Sequence, residues 1–96
     1  MVRLLPNTTD NQTMLLTPKS GVLPYVVEFY FDRELLDSVT PTLLQIGNAL
    51  QFTISIELQE NTNYNFIVKD DDGDELYRGI AETWEVTILG NEFATI

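Results

Sequence analysis

The sequence predicts an all-β domain, a sandwich of about seven short strands. Three observations carry this. Residues 51–58 alternate without a break, with Phe52, Ile54, Ile56 and Leu58 on one side and Gln51, Thr53, Ser55 and Glu57 on the other. The alternation resumes as Tyr64, Phe66 and Val68, and residues 25–32 show it again with Tyr25, Val27, Phe29 and Phe31. Asp72-Gly73 then separates the second run from a stretch that begins near Leu76. A strict period of two puts one face of a strand in a core and the other in water. Asp-Gly between two such runs is a strong hairpin signal.

Taken in order, Val2 to Leu5 suit a short strand stopped by Pro6, and residues 7–12 are polar and turn-rich. Asn7-Thr8-Thr9 and Asn11-Gln12-Thr13 match the glycosylation pattern. Without an export signal they read as chance. Residues 13–17 form a short apolar run, and Pro18-Lys19-Ser20-Gly21 a turn. Residues 25–32 are rich in aromatic and β-branched side chains, which fit a pleated surface. Pro24 sits where a strand begins and no ladder donor is needed.

Residues 33–50 support two readings equally. Thr40-Pro41 could open a single helical turn through Leu43, Leu44 and Ile46, ended by Gly47. The same residues could form a strand with a long loop. Residues 51–58, 63–69 and 75–82 read as strands, residues 86–89 as a last strand and residues 91–96 as a tail. The inward set is expected to be Phe52, Ile54, Ile56, Leu58, Tyr64, Phe66 and Val68 facing Tyr25, Val27, Phe29 and Phe31. No repeat or linker interrupts the chain, so residues 1–96 are expected to form a single β-sandwich domain.

The 96 residues carry 15 acidic and 5 basic side chains, a net charge of −10. The imbalance lies entirely beyond Phe31, because Arg3 and Lys19 offset Asp10 and Glu28 before it. That sign opposes nucleic acid, whose phosphates need Lys and Arg, and opposes anionic membrane surfaces. Its plain meaning is solubility. A sharper meaning is an acidic face for a basic partner, DNA mimicry included. Cysteine is absent, which favours folding in a reducing compartment. The start of the chain is too short in apolar residues for a signal peptide, and no stretch approaches the length of a membrane span.

With neither His nor Cys in the sequence, the usual nucleophile–base pairs and Cys/His zinc sites cannot be built. No Gly-rich phosphate loop appears. The chain therefore reads as a binding protein and not an enzyme, with no cofactor and no small-molecule substrate. Asp70, Asp72 and Asp74 alternate as calcium ligands do in some loops. However, Gly73 falls early for that pattern and the distal Glu is missing. A solvated hairpin tip, with no metal, is expected. Trp84, flanked by acids, is either a core plug or a contact anchor, and Tyr30 and Tyr77 stand on outer faces. The candidate partner contacts are Tyr30, Trp84, Val86, Ile88 and Phe93. They come from an apolar run at 22–31 and a C-terminal apolar stretch whose strand edges no charge protects.

Leu58-Gln59-Glu60-Asn61-Thr62-Asn63-Tyr64-Asn65-Phe66-Ile67-Val68 resembles the E–F corner of fibronectin type III and immunoglobulin-like domains. There a Leu closes one strand, and a Tyr six residues on opens the next and bonds back to the corner backbone. The resemblance implies an immunoglobulin-like or fibronectin III-like β-sandwich and a bond from Tyr64 to the backbone of residues 58–63. The antibody-type Cys pair and third-strand Trp are missing.

A wider similarity runs through Leu4-Leu5-Pro6-Asn7-Thr8, Thr13-Met14-Leu15-Leu16-Thr17, Val27-Glu28-Phe29-Tyr30-Phe31, Phe52-Thr53-Ile54 and Tyr64-Asn65-Phe66-Ile67-Val68. These stretches are similar to small β-sandwich virion proteins of tailed phages of Bacteroidetes, the crAss-like phages among them. The resemblance implies a virion structural protein made in the host cytoplasm: a capsid auxiliary, or decoration, module binding the major capsid protein or other virion proteins. A tail, collar or head-fibre component is the alternative of the same class. An intracellular acidic DNA-mimic inhibitor and a sugar- or surface-binding module are alternatives of other classes. The resemblance assigns no functional residue.

Overall fold

In the computed structural model, which describes residues 1–84, the alternating stretches fold into two facing sheets. Eight strands are present: β1 (Val2–Arg3), β2 (Gln12–Leu16), β3 (Val26–Phe31), β4 (Glu34–Val39), β5 (Thr42–Ile46), β6 (Ala49–Ile54), β7 (Asn63–Lys69) and β8 (Glu75–Glu82). The larger sheet has the order β1-β8-β7-β3-β4, and the smaller has β2-β6-β5. All pairings are antiparallel except β1 with β8. The sequence-expected strand at 86–89 lies outside the described residues.

The period-two pattern places the core as expected. Phe52, Ile54, Ile56, Leu58, Tyr64, Phe66, Val68, Tyr25, Val27 and Phe29 are all buried, joined by Leu4, Met14, Leu16, Leu76 and Ala81. Phe29 meets Phe66 across β3 and β7 with ring centroids 5.8 Å apart. Tyr25 reaches Phe52 in the opposite sheet at 6.4 Å. Burial of these side chains, each worth about 1.5–3 kcal/mol, supplies the main driving force of folding.

Two details differ from expectation. Phe31 is 50% exposed. It is the last residue of β3 and lines a notch open to solvent, with the Tyr64 ring 5.9 Å away. The ladder of 51–58 ends at Ile54. The alternation of burial nevertheless continues through Ile56 and Leu58 as the chain enters the corner.

Residues 33–50 form two strands and no helical turn. Asp32 and Arg33, with φ of 51° and 72°, make a two-residue turn between Phe31 and Glu34. Both central residues at positive φ is the geometry that matches the twist of a hairpin. Thr40-Pro41 carries the chain from the larger sheet to the smaller. Gly47-Asn48 then closes a second hairpin between β5 and β6, with Gly47 at φ 59°. β4 and β5 thus become the outer strands along one side of the sandwich.

Candidate interaction surface

The corner before β7 is held by side chains from three segments. The Gln59 N–H donates to Tyr64 Oη at 2.8 Å, the bond that the corner resemblance implies. Thr83 Oγ1 donates to the Gln59 carbonyl at 2.6 Å and accepts from the Thr62 N–H at 3.0 Å. Asn7 approaches from the N-terminal side, its N–H donating to the Leu58 carbonyl at 2.8 Å. Each of these backbone groups would otherwise be left partly buried and unpaired.

The acidic turn is only partly the solvated tip that the sequence suggests. Asp72 and Asp74 are exposed, but Asp70 is buried. Its Oδ2 accepts from the Val22 N–H at 3.0 Å, and its Oδ1 accepts from the N–H groups of Asp74 and Asp72 at 2.9 and 3.1 Å. The Val22 N–H foremost, then those of Asp74 and Asp72, hold this carboxyl below its ordinary value. The Asp71 N–H donates to the Val22 carbonyl at 2.8 Å. Gly21 lies so near that a Cβ there would come within 2.8 Å of the Asp70 side chain. Asp70 therefore fastens the loop before β3 to the β7–β8 hairpin. The carboxylates of Asp70, Asp72 and Asp74 have oxygens within 4.8 Å of one another, with both Asp70 oxygens already engaged by backbone donors.

Of the expected contact residues, Tyr30 and Trp84 fall among the described residues. Tyr30 stands on the outer face of the larger sheet, between Leu35 and Asn65. Its hydroxyl donates to Glu28 Oε1 at 2.7 Å, and Lys69 Nζ lies 3.1 Å from the same oxygen. The Tyr30 hydroxyl first, then Lys69, hold Glu28 below the usual carboxylate range against desolvation, and Glu28 raises both partners. Trp84 lies beyond the end of β8, half-buried, with the Arg3 guanidinium 5.4 Å from its ring centroid. Arg3 also pairs with Glu82 at 2.9 Å. Val86, Ile88 and Phe93 lie outside the described residues.

The smaller sheet presents a surface that the sequence reading passed over. None of the residues of β2, β5 and β6 is charged. On its outer face Leu15 and Leu44 flank Gln51, Thr13 and Thr42 flank Thr53, and Ile46 stands opposite Ala49. Leu15 is 60% exposed and Leu44 57%. On the other side of β5 and β6, Leu43, Gln45 and Leu50 border, with Leu23 of the loop before β3, a cleft of about 360 Å³. The signal that could have found the outer face is the absence of charge in both 12–16 and 42–54 of a chain with net charge −10.

Fold and corner together define an all-β sandwich with a tyrosine bonded to the backbone of the corner before β7. No protein-family model matches the chain, and no curated protein or solved structure matches it.

Proposed function

We propose that the chain is a phage virion structural protein, a capsid auxiliary module that docks on the major capsid protein through its smaller sheet. The observation that carries this is the uncharged outer face of β2, β6 and β5, with its exposed Leu15, Leu44 and Ile46. An uncharged face with exposed aliphatic side chains, in a chain of net charge −10, suits a protein–protein contact. The kind of partner is what the resemblance of the short stretches between Leu4 and Val68 to phage virion proteins implies. Five residues of three strands span only about 17 by 14 Å. That is less than the roughly 800 Å² per partner that a stable interface needs, so neighbouring loops must add to the contact. Tail, collar or head-fibre placement is the variant of the same reading. The acidic inhibitor draws support from the net charge of −10. On the larger sheet, however, Glu28, Glu75 and Glu82 are offset by Lys69, Arg78 and Arg3. A reconstruction of the particle tests the proposal. Density at every capsomer supports decoration, density only at the tail vertex moves the protein to the tail, and absence from purified virions refutes a structural role.

A further inference from the structure

We propose that the outer edge of β4 and the notch beside it bind an extended basic segment of another protein as an added strand. β4 pairs only with β3, and among the described residues its other edge is open. Leu35 and Leu36 on it are 54% and 50% exposed. The register slips opposite Phe29 and Tyr30, so that Leu36 falls between paired residues. Leu36 and Phe31 face Tyr64, Glu57 and Gln59 across a notch of about 170 Å³. That is smaller than a site for a drug-sized ligand and fits one aliphatic side chain. A free strand edge offers main-chain donors and acceptors, and a pocket for an alternate side chain adds register.

Charge names the occupant. Asp32, Glu34 and Asp37 lie on the turn and strand of this edge, with Arg33 in the same turn, and Glu57 lines the notch. None of these carboxylates is in a salt bridge among the described residues. A second copy pairing through β4 would set Glu34 and Asp37 against their equivalents, and like charges facing each other destabilise a ladder. Residues 85–96 contain Glu85 and Glu92 and no Lys or Arg, so they meet the same repulsion. A segment alternating Lys or Arg with Val or Leu meets none of it. Its basic side chains would answer the acids while one apolar side chain fills the notch. The bulge at Leu36 limits indiscriminate pairing of the edge. This site is separate from the smaller sheet and stands or falls without it.

The test uses the full chain and a short capped peptide alternating lysine with valine, followed by amide chemical shifts and hydrogen exchange. In the free protein the β4 amides not bonded to β3 should exchange rapidly. The peptide should slow them and shift residues 31–39 together with Glu57, Gln59 and Tyr64. Leu36→Ser, which adds no charge, should weaken binding about tenfold or more, the order expected from losing one buried aliphatic contact. Asp37→Lys should weaken the lysine peptide and favour a glutamate–valine peptide, and both variants should keep the parent Tm. Protection of the β4 edge before peptide is added would overturn the proposal, because a second copy or the chain's own tail would then occupy it. So would shifts spread equally over Asp71, Asp72 and Asp74, which would mean bare charge attraction, or no shifts at all.

Discussion

Gln59 has both of its backbone groups held by side chains from other parts of the chain. Tyr64 Oη takes its N–H and Thr83 Oγ1 its carbonyl. Tyr64→Phe should cost about 1 kcal/mol because a partly buried donor loses its acceptor. Thr83→Val should cost about 1–3 kcal/mol, since the Gln59 carbonyl and the Thr62 N–H lose their partner together. Both changes act on one residue, so urea titration of the double variant should show a non-additive sum. Tyr64 was legible because a Tyr six residues after Leu58 is a pattern. Thr83 was not, since its partners lie 21 and 24 residues away. Asp70 was legible as part of an acidic turn and illegible as a clamp, because Val22 comes to it from 48 residues off. With its folded pKa lowered, Asp70 stabilises the fold above its unfolded value, ordinarily 3.8, and loses that effect as pH falls through the folded value. Asp70→Asn turns one oxygen into a donor facing Val22. Its Tm deficit should therefore be full at neutral pH and shrink below about pH 4. A deficit unchanged by acid would mean that the carboxylate charge contributes nothing.

At the scale of elements, the strongly alternating strands were readable and the hairpin of β3 and β4 was not. Its turn is Asp32-Arg33, where both residues hold positive φ, and neither is the glycine that announces such a turn. The β4 sequence Glu-Leu-Leu-Asp-Ser-Val lacks a period of two because the bulge at Leu36 breaks it. Arg33→Gly should relieve the left-handed strain, about 1–2 kcal/mol for a side chain, less the entropy that glycine adds to the unfolded chain. A net stabilisation of up to about 1 kcal/mol is expected by denaturant titration. Gly79 is the opposite case. It stands across from Phe66 in the ladder, and a Cβ there would come within 2.9 Å of the Phe66 ring. That ring also stacks on Tyr77 at 5.9 Å. Gly79→Ala should cost about 1–3 kcal/mol, because the ring it would displace is fully buried. A neutral result would show that β8 yields there.

The whole molecule divides its charge by sheet. Strands of the larger sheet carry Arg3, Glu28, Glu34, Asp37, Lys69, Glu75, Arg78 and Glu82, while the smaller sheet carries none. Solubility alone does not require this partition. Threonine and glutamine would keep the outer face of the smaller sheet wet, yet Leu15, Leu44 and Ile46 interrupt them. The sequence showed the total charge but not its distribution, because β2 and β5 become neighbours of β6 only through the fold. Docking through this face has a consequence that separates it from a merely tolerated surface. Leu44 is 57% exposed on an edge strand, so Leu44→Asp should change stability by no more than about 0.5 kcal/mol. In the assembled particle the same carboxylate would be desolvated without a partner, which costs far more than the lost apolar contact. Incorporation into particles should therefore collapse while the isolated protein keeps its Tm, and Leu15→Asp, 60% exposed on the other edge strand, should behave alike. Asp71→Lys, on the exposed tip of the β7–β8 hairpin, should leave incorporation unchanged. Particles that take up Leu44→Asp at the parent level would remove the smaller sheet from the interface and return the search to the larger sheet around Tyr30.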